Sequence, residues 1–230
     1  MHLTVIHEDN HLLAVHKPAG LLVQGDRSGD ETLVAAVGAY LKDRYAKPGN
    51  AYVGLVHRLD RNVSGLVLLA RTSKAAGRLS AAFREGRVTK RYLAVVLGAP
   101  PAPEGELRSW LAPAGDAQGV TRAATDPFPG AKQALLRYRT AQRHGGLSLL
   151  EIEPVTGRRH QIRAQLALVG CPLLGDVKYG APERLADRRL GLHALSLEFP
   201  HPVGGLPLTL TAPPDAAWPW PPAGNRRDAP

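Results

Sequence analysis

Gly65-Leu66-Val67-Leu68-Leu69-Ala70 is an unbroken apolar run, and it constrains the fold more than any other segment. A short apolar run bounded by polar residues reads as a strand buried on both faces. Tyr52 to Val56 reads as a strand just before it, and the polar stretch His57 to Ser64 joins the two. A loop held between rigid strands is where functional side chains commonly sit.

Around this pair the chain is mostly strands. Residues 3–6 and 12–16 form a strand pair around the polar turn Glu8-Asp9-Asn10-His11. Lys17-Pro18-Ala19-Gly20 is a turn, which either contacts a ligand or only reverses the chain. Residues 91–97, 192–199 and 206–211 are further strands, and 133–141 with 147–153 form a hairpin across Gly145-Gly146. Helical spacing occurs in three places. Leu33, Val34, Val37, Tyr40 and Leu41 mark a helix over 32–44 capped by Thr32. Thr72 or Ser73 caps a second, stopped near Gly86. Thr156 caps a third over 158–169, stopped by Gly170. Strands outnumber helices and are often adjacent, which predicts an α+β fold. Its central sheet is mixed and mainly antiparallel, with flanking helices and loops. Residues 1–213 read as a single domain. The Pro-, Gly- and Ala-rich segment 99–131 reads as an insertion, mainly loops with a strand at 107–111, and 214–230 as a loosely held Pro/Ala-rich tail.

Charge narrows the partners. The 230 residues carry 22 arginines and seven lysines, a formal charge of +9 and a pI near 10.0. Such a field attracts polyanions, and arginine suits phosphate contacts and base stacking. Charge alone also fits a merely soluble basic protein. No run of 18 apolar residues predicts a membrane span, and Met1 to Asn10 does not read as a signal peptide. One cysteine, Cys171, makes neither an internal disulfide nor a cysteine-based metal site; it reads as a core residue in a cytoplasmic protein. His7, His11 and His16 read as scattered histidines rather than metal ligands.

Three segments concentrate chemistry. His57-Arg58-Leu59-Asp60-Arg61-Asn62-Val63-Ser64-Gly65 places one acid between two arginines, either as a reacting group or as a turn held by local ion pairs. Thr156-Gly157-Arg158-Arg159-His160-Gln161-Ile162-Arg163 opens the third helix, whose buried stripe is Ile162, Leu166 and Val169. Arg159 and Arg163 lie one turn apart beside that stripe, and an arginine at a core edge needs an anionic partner. Thr89-Lys90-Arg91-Tyr92-Leu93 sets a ring beside two cations, a base-stacking surface or a core tyrosine.

Taken in order, these segments resemble the RluA-type pseudouridine synthases. The resemblance extends to Lys17-Pro18-Ala19-Gly20-Leu21-Leu22-Val23, Leu174-Gly175-Asp176, Tyr179-Gly180, His193-Ala194 and Phe199-Pro200-His201-Pro202, so it covers about residues 5 to 213. Two departures stand out: Val63 occupies the usual threonine position, and the sequence reads as a catalytic domain alone, without the small N-terminal RNA-binding domain that many members carry. Separately, the chain is expected to act as a monomer. The resemblance implies a pseudouridine synthase fold that isomerises uridine in ribosomal or transfer RNA without cofactor or metal. It implies that Asp60 is the catalytic carboxylate, that Arg163 pairs with it and that Tyr92 stacks on the target base. It implies too that Arg58 enters the space the base leaves, and Arg61, Arg91 and Arg159 are candidates for phosphate contacts. Two rivals compete: a nucleic-acid glycosidase using Asp60 with a second acid such as Asp176, and a non-catalytic RNA-binding protein. Asp176 is otherwise structural or lines the cleft.

Overall fold

The computed structural model describes residues 3–26, 29–46, 48–115 and 119–220. Its strands are β1 (Thr4–Glu8), β2 (Leu12–Lys17), β3 (Gly54–Leu55), β4 (Ser64–Ala70), β5 (Thr89–Leu97), β6 (Glu104–Pro113), β7 (Thr121–Ala124), β8 (Lys132–His144), β9 (Leu147–Pro154), β10 (Leu192–Pro200) and β11 (Pro207–Thr211). They form one sheet in the order β1-β2-β4-β10-β5-β9-β8-β6-β7, with β3 added to β4 and β11 to β10. Neighbours run antiparallel except β4 and β10, which pair in parallel through His193 with Ser64 and Ala194 with Gly65. The sheet is thus mixed and mainly antiparallel, as expected.

The apolar run at β4 has the cause inferred for it. Val67 and Leu69 face a core shared with Leu13 and Val15 of β2, Leu33, Val37 and Leu41 of helix α1 (Leu33–Arg44), and Ile162 and Leu166 of α3 (Gln161–Leu168). Leu66 and Leu68 face a second core with Phe199, Leu210 and Ala75, Leu79 and Ala82 of α2 (Ser73–Arg84). Alternate residues point to opposite faces, and both faces are covered, so no polar position survives. Thr32 and Thr72 cap α1 and α2 by accepting from Ala35 N and Ala75 N, each at 3.1 Å.

Several expectations need correction. Residues 99–131 carry more strand than expected: the strand expected at 107–111 extends over β6, and β7 follows it, while the other described residues of the segment are turns and loops. The strand at 52–56 shrinks to β3. The third helix starts at Gln161 rather than 158, and Thr156 does not cap it. The Thr156 hydroxyl instead donates to Gln161 Oε1 (2.7 Å) and accepts from Leu135 N (3.0 Å). The described part of the tail is docked: Asp215 pairs with Arg189 at 2.9 Å, and the Trp218 ring sits 5.5 Å from that of His193. Residues 221–230 lie outside the described residues.

Gly65 marks where the candidate loop enters β4. Its φ is +121°, and a Cβ there would lie 2.3 Å from Ala194 O and 2.5 Å from Ala194 N. Both atoms are backbone, so relief requires moving β10. Gly65→Ala is expected to cost about 3 kcal/mol or more of stability, at the upper end for overpacking. A urea melt checks it; a change below about 1 kcal/mol contradicts the close approach.

Candidate active site

The 57–64 loop is fixed at many points. His57 Nε2 accepts from Leu68 N (2.9 Å), and its ring stacks on Phe83 at 5.0 Å. Burial, with Lys90 nearby, pulls the His57 imidazole down to about 4, so it stays uncharged and serves as an anchor. Leu59 and Val63 are core residues. Val63 N donates to Asp60 O, and Leu190 N donates to Asn62 O. Lys17 is fully buried and donates from Nζ to Pro18 O, Leu21 O and Arg61 O, each at 2.9 Å. Burial lowers its pKa to about 7, yet only the ammonium has three N–H groups for those three carbonyls. Lys17 thus ties the 17–20 turn to the 57–64 loop, a role the sequence reading did not include.

Asp60 projects from this loop with a third of its side chain (33%) exposed. Its Oδ2 accepts from Arg163 Nη1 at 2.9 Å and lies 3.6 Å from His160 Nε2. Arg163 comes from the first turn of α3, and only 9% of its side chain is exposed. Its other face grips Asp176 in a fork, Nε to Oδ2 at 2.7 Å and Nη2 to Oδ1 at 2.9 Å. Burial works against the Arg163 charge, but the Asp176 bonds and the charges of Asp176 and Asp60 outweigh it and raise its pKa. The Tyr179 ring lies 4.8 Å below the guanidinium.

Asp60, Arg163, Tyr92 and Arg58 line one open cleft of about 760 Å³, with Lys90 and Arg158 also on its wall. Burial, then the Asp60 charge, push the Tyr92 phenol up to about 12, so the ring stays neutral. A second cleft of about 380 Å³ shares Asp60, His160 and Arg163 with the first and is also lined by Arg61, Lys178, Arg184 and Arg188. Arg61 also binds Asp30 (2.8 Å) and Gly20 O (2.9 Å). Arg91 and Arg159 line neither cleft. Arg91 is exposed on β5, 3.9 Å from Glu198, and Arg159 lies against the Gly119 backbone. Sequence reasoning missed Asp176 as the second Arg163 partner, and missed His160 and Tyr179; the need of a buried arginine for acids pointed toward the first.

The profile of the RNA pseudouridylate synthase family matches residues 11–168. The chain belongs to this family. It is 36% identical to the ribosomal large subunit pseudouridine synthase C of Rickettsia felis over 90% of this chain and 66% of that protein. It is 35% identical to the ribosomal large subunit pseudouridine synthase D of Zymomonas mobilis over 88% of this chain and 66% of that protein. The chain therefore spans slightly less than two thirds of the length of these relatives. The solved human RNA pseudouridylate synthase domain containing 4 superposes with a TM-score of 0.78 at 24% identity, covering 93% of this chain and 89% of that one. That likeness shows the pseudouridine synthase fold. Among the described residues, no helix of this pseudouridylate synthase family member is long and apolar enough to cross a membrane.

Proposed function

We propose that this chain isomerises uridine to pseudouridine in RNA, with Asp60 as the catalytic carboxylate, and that it acts as a cytoplasmic monomer. One observation carries the reading. A single carboxylate, held by a buried arginine, shares a basic cleft with a neutral tyrosine ring. The reaction breaks the bond from C1′ to N1 and forms one from C1′ to C5. The C5 hydrogen leaves, N1 gains one, and no atom is added overall. Asp60 acts at the sugar, as nucleophile at C1′ or as base at C2′. The Tyr92 face holds the detached uracil while letting it turn. Arg58, exposed at the cleft, stacks where the flipped base stood, a movement costing the RNA a few kcal/mol. Arg61, Lys178, Arg184 and Arg188 carry neighbouring phosphates in the second cleft. The names of the relatives point to large-subunit ribosomal RNA as the substrate class.

The glycosidase alternative lacks its second acid. Asp60 is the only acid among the described residues lining the larger cleft, and Asp176 is 1% exposed and committed to Arg163. Unmodified large-subunit ribosomal RNA labelled with tritium at uridine C5 tests the reading. We expect tritium release without free uracil. Free uracil would establish hydrolysis, and tight binding without release would leave a non-catalytic RNA-binding protein.

A further inference from the structure

We propose that His160 is a positioning residue for Asp60, with its tautomer locked by Tyr179 so that Nε2–H faces Asp60 Oδ2. The inference rests on the reaction proposed above.

The backbone gives the first sign. His160 precedes α3 with φ 51° and ψ 22°, the left-handed region, and its side chain makes no cap hydrogen bond. A non-glycine residue there is strained, and such strain concentrates at functional sites. Here it accompanies an imidazole lying between Asp60 and Tyr179. The second sign is the order of donors. Tyr179 Oη accepts from Thr121 N at 2.8 Å and lies 2.9 Å from His160 Nδ1. The Thr121 N–H can only donate, which occupies an acceptor position on the phenol and leaves its own hydrogen available to point at Nδ1, the direction taken in this proposal. With Nδ1 accepting, the ring hydrogen sits on Nε2, 3.6 Å from Asp60 Oδ2. That gap exceeds a hydrogen bond and closes when substrate settles the carboxylate.

The charged groups around the ring are Asp60, Arg163, Arg159 and Lys178. Burial first, then the three cations against the pull of Asp60, bring its pKa down to about 4, in keeping with an uncharged donor. Oδ2 thus faces a charged donor, Arg163, and an uncharged one, His160, which leaves Oδ1 to react. The chain of contacts ends at β7, so the 99–131 segment sets a proton position in the site.

Nitrogen-15 NMR of histidine-labelled protein, with His160→Gln assigning the signal, reads the tautomer without RNA. We expect Nε2–H with no protonation between pH 8 and 5, and mixed tautomers in Tyr179→Phe. An Nδ1–H form, or titration near 6.5, overturns the lock even if no RNA is modified. In the tritium assay, His160→Ala should lower kcat about 10- to 100-fold with KM within about twofold, the worth of one hydrogen bond to a charged group. His160→Gln, which retains an N–H, should recover part of it. Tyr179→Phe should lower kcat about tenfold alone and not at all in the His160→Ala background. Equal losses in both backgrounds, or full activity of His160→Ala, would refute the positioning role while leaving the proposed reaction standing.

Discussion

Asp60→Ala and Asp60→Asn are expected to lower pseudouridine formation at least about 10⁴-fold, the order lost when a nucleophile or its base is removed from a hydrolase. That is about 5 kcal/mol of barrier. Asparagine is the sharper variant. It keeps the size of the side chain and can still accept from Arg163 Nη1, but it has no carboxylate to attack the sugar or take its proton. RNA affinity should hold or rise, because each change removes a negative charge from a cleft carrying Arg58, Lys90 and Arg158. Filter binding and the tritium assay on the same preparations separate the two effects. Asparagine activity within tenfold of wild type would remove Asp60 from the reaction.

Arg163→Met is expected to cost about 3–5 kcal/mol of stability and at least about 100-fold in activity. The two losses have different sources. Stability falls because Asp176, 1% exposed, is left as a buried charge without its fork. Activity falls because Asp60 loses the donor on Oδ2. The double variant Arg163→Met with Asp176→Leu tests this division. Removing both buried charges should restore most of the stability in a urea melt but none of the activity. Arg163→Lys should fail too, since an ammonium cannot fork onto Asp176 and still reach Asp60. A double variant that recovered activity would show that Arg163 acts only through the fold.

Legibility differed along the chain for physical reasons. β4 was plain because burial on both faces leaves a continuous apolar run. β6 was plain only at its centre. Its start, Glu104-Gly105-Glu106, is exposed and has no apolar pattern, and pairing with β8 holds it. The start of α3 was misplaced because Arg158 and Arg159 are good helix formers, whereas the chain turns left-handed at His160. Of the site, Asp60, Tyr92, Arg163 and Arg58 were identifiable from the motifs and converge on one cleft. Arg91 and Arg159 stood in the same motifs but face elsewhere, because a run of arginines does not say which one points inward. Asp176 lies 13 residues beyond Arg163, past the end of α3, so no helical or strand spacing links them. The Thr121–Tyr179–His160 contacts join three separate segments and exist only in three dimensions.

The buried ammonium of Lys17 reaches beyond the turn it closes. By joining Pro18, Leu21 and Arg61 through one nitrogen, it makes the strip bearing Asp60 part of the rigid body of the sheet. The backbone under Asp60 is preorganised, so the loop does not travel to meet its target and only the side chain settles. The distortion needed for a uridine to reach it therefore falls on the RNA, and sites compete by how readily they unstack.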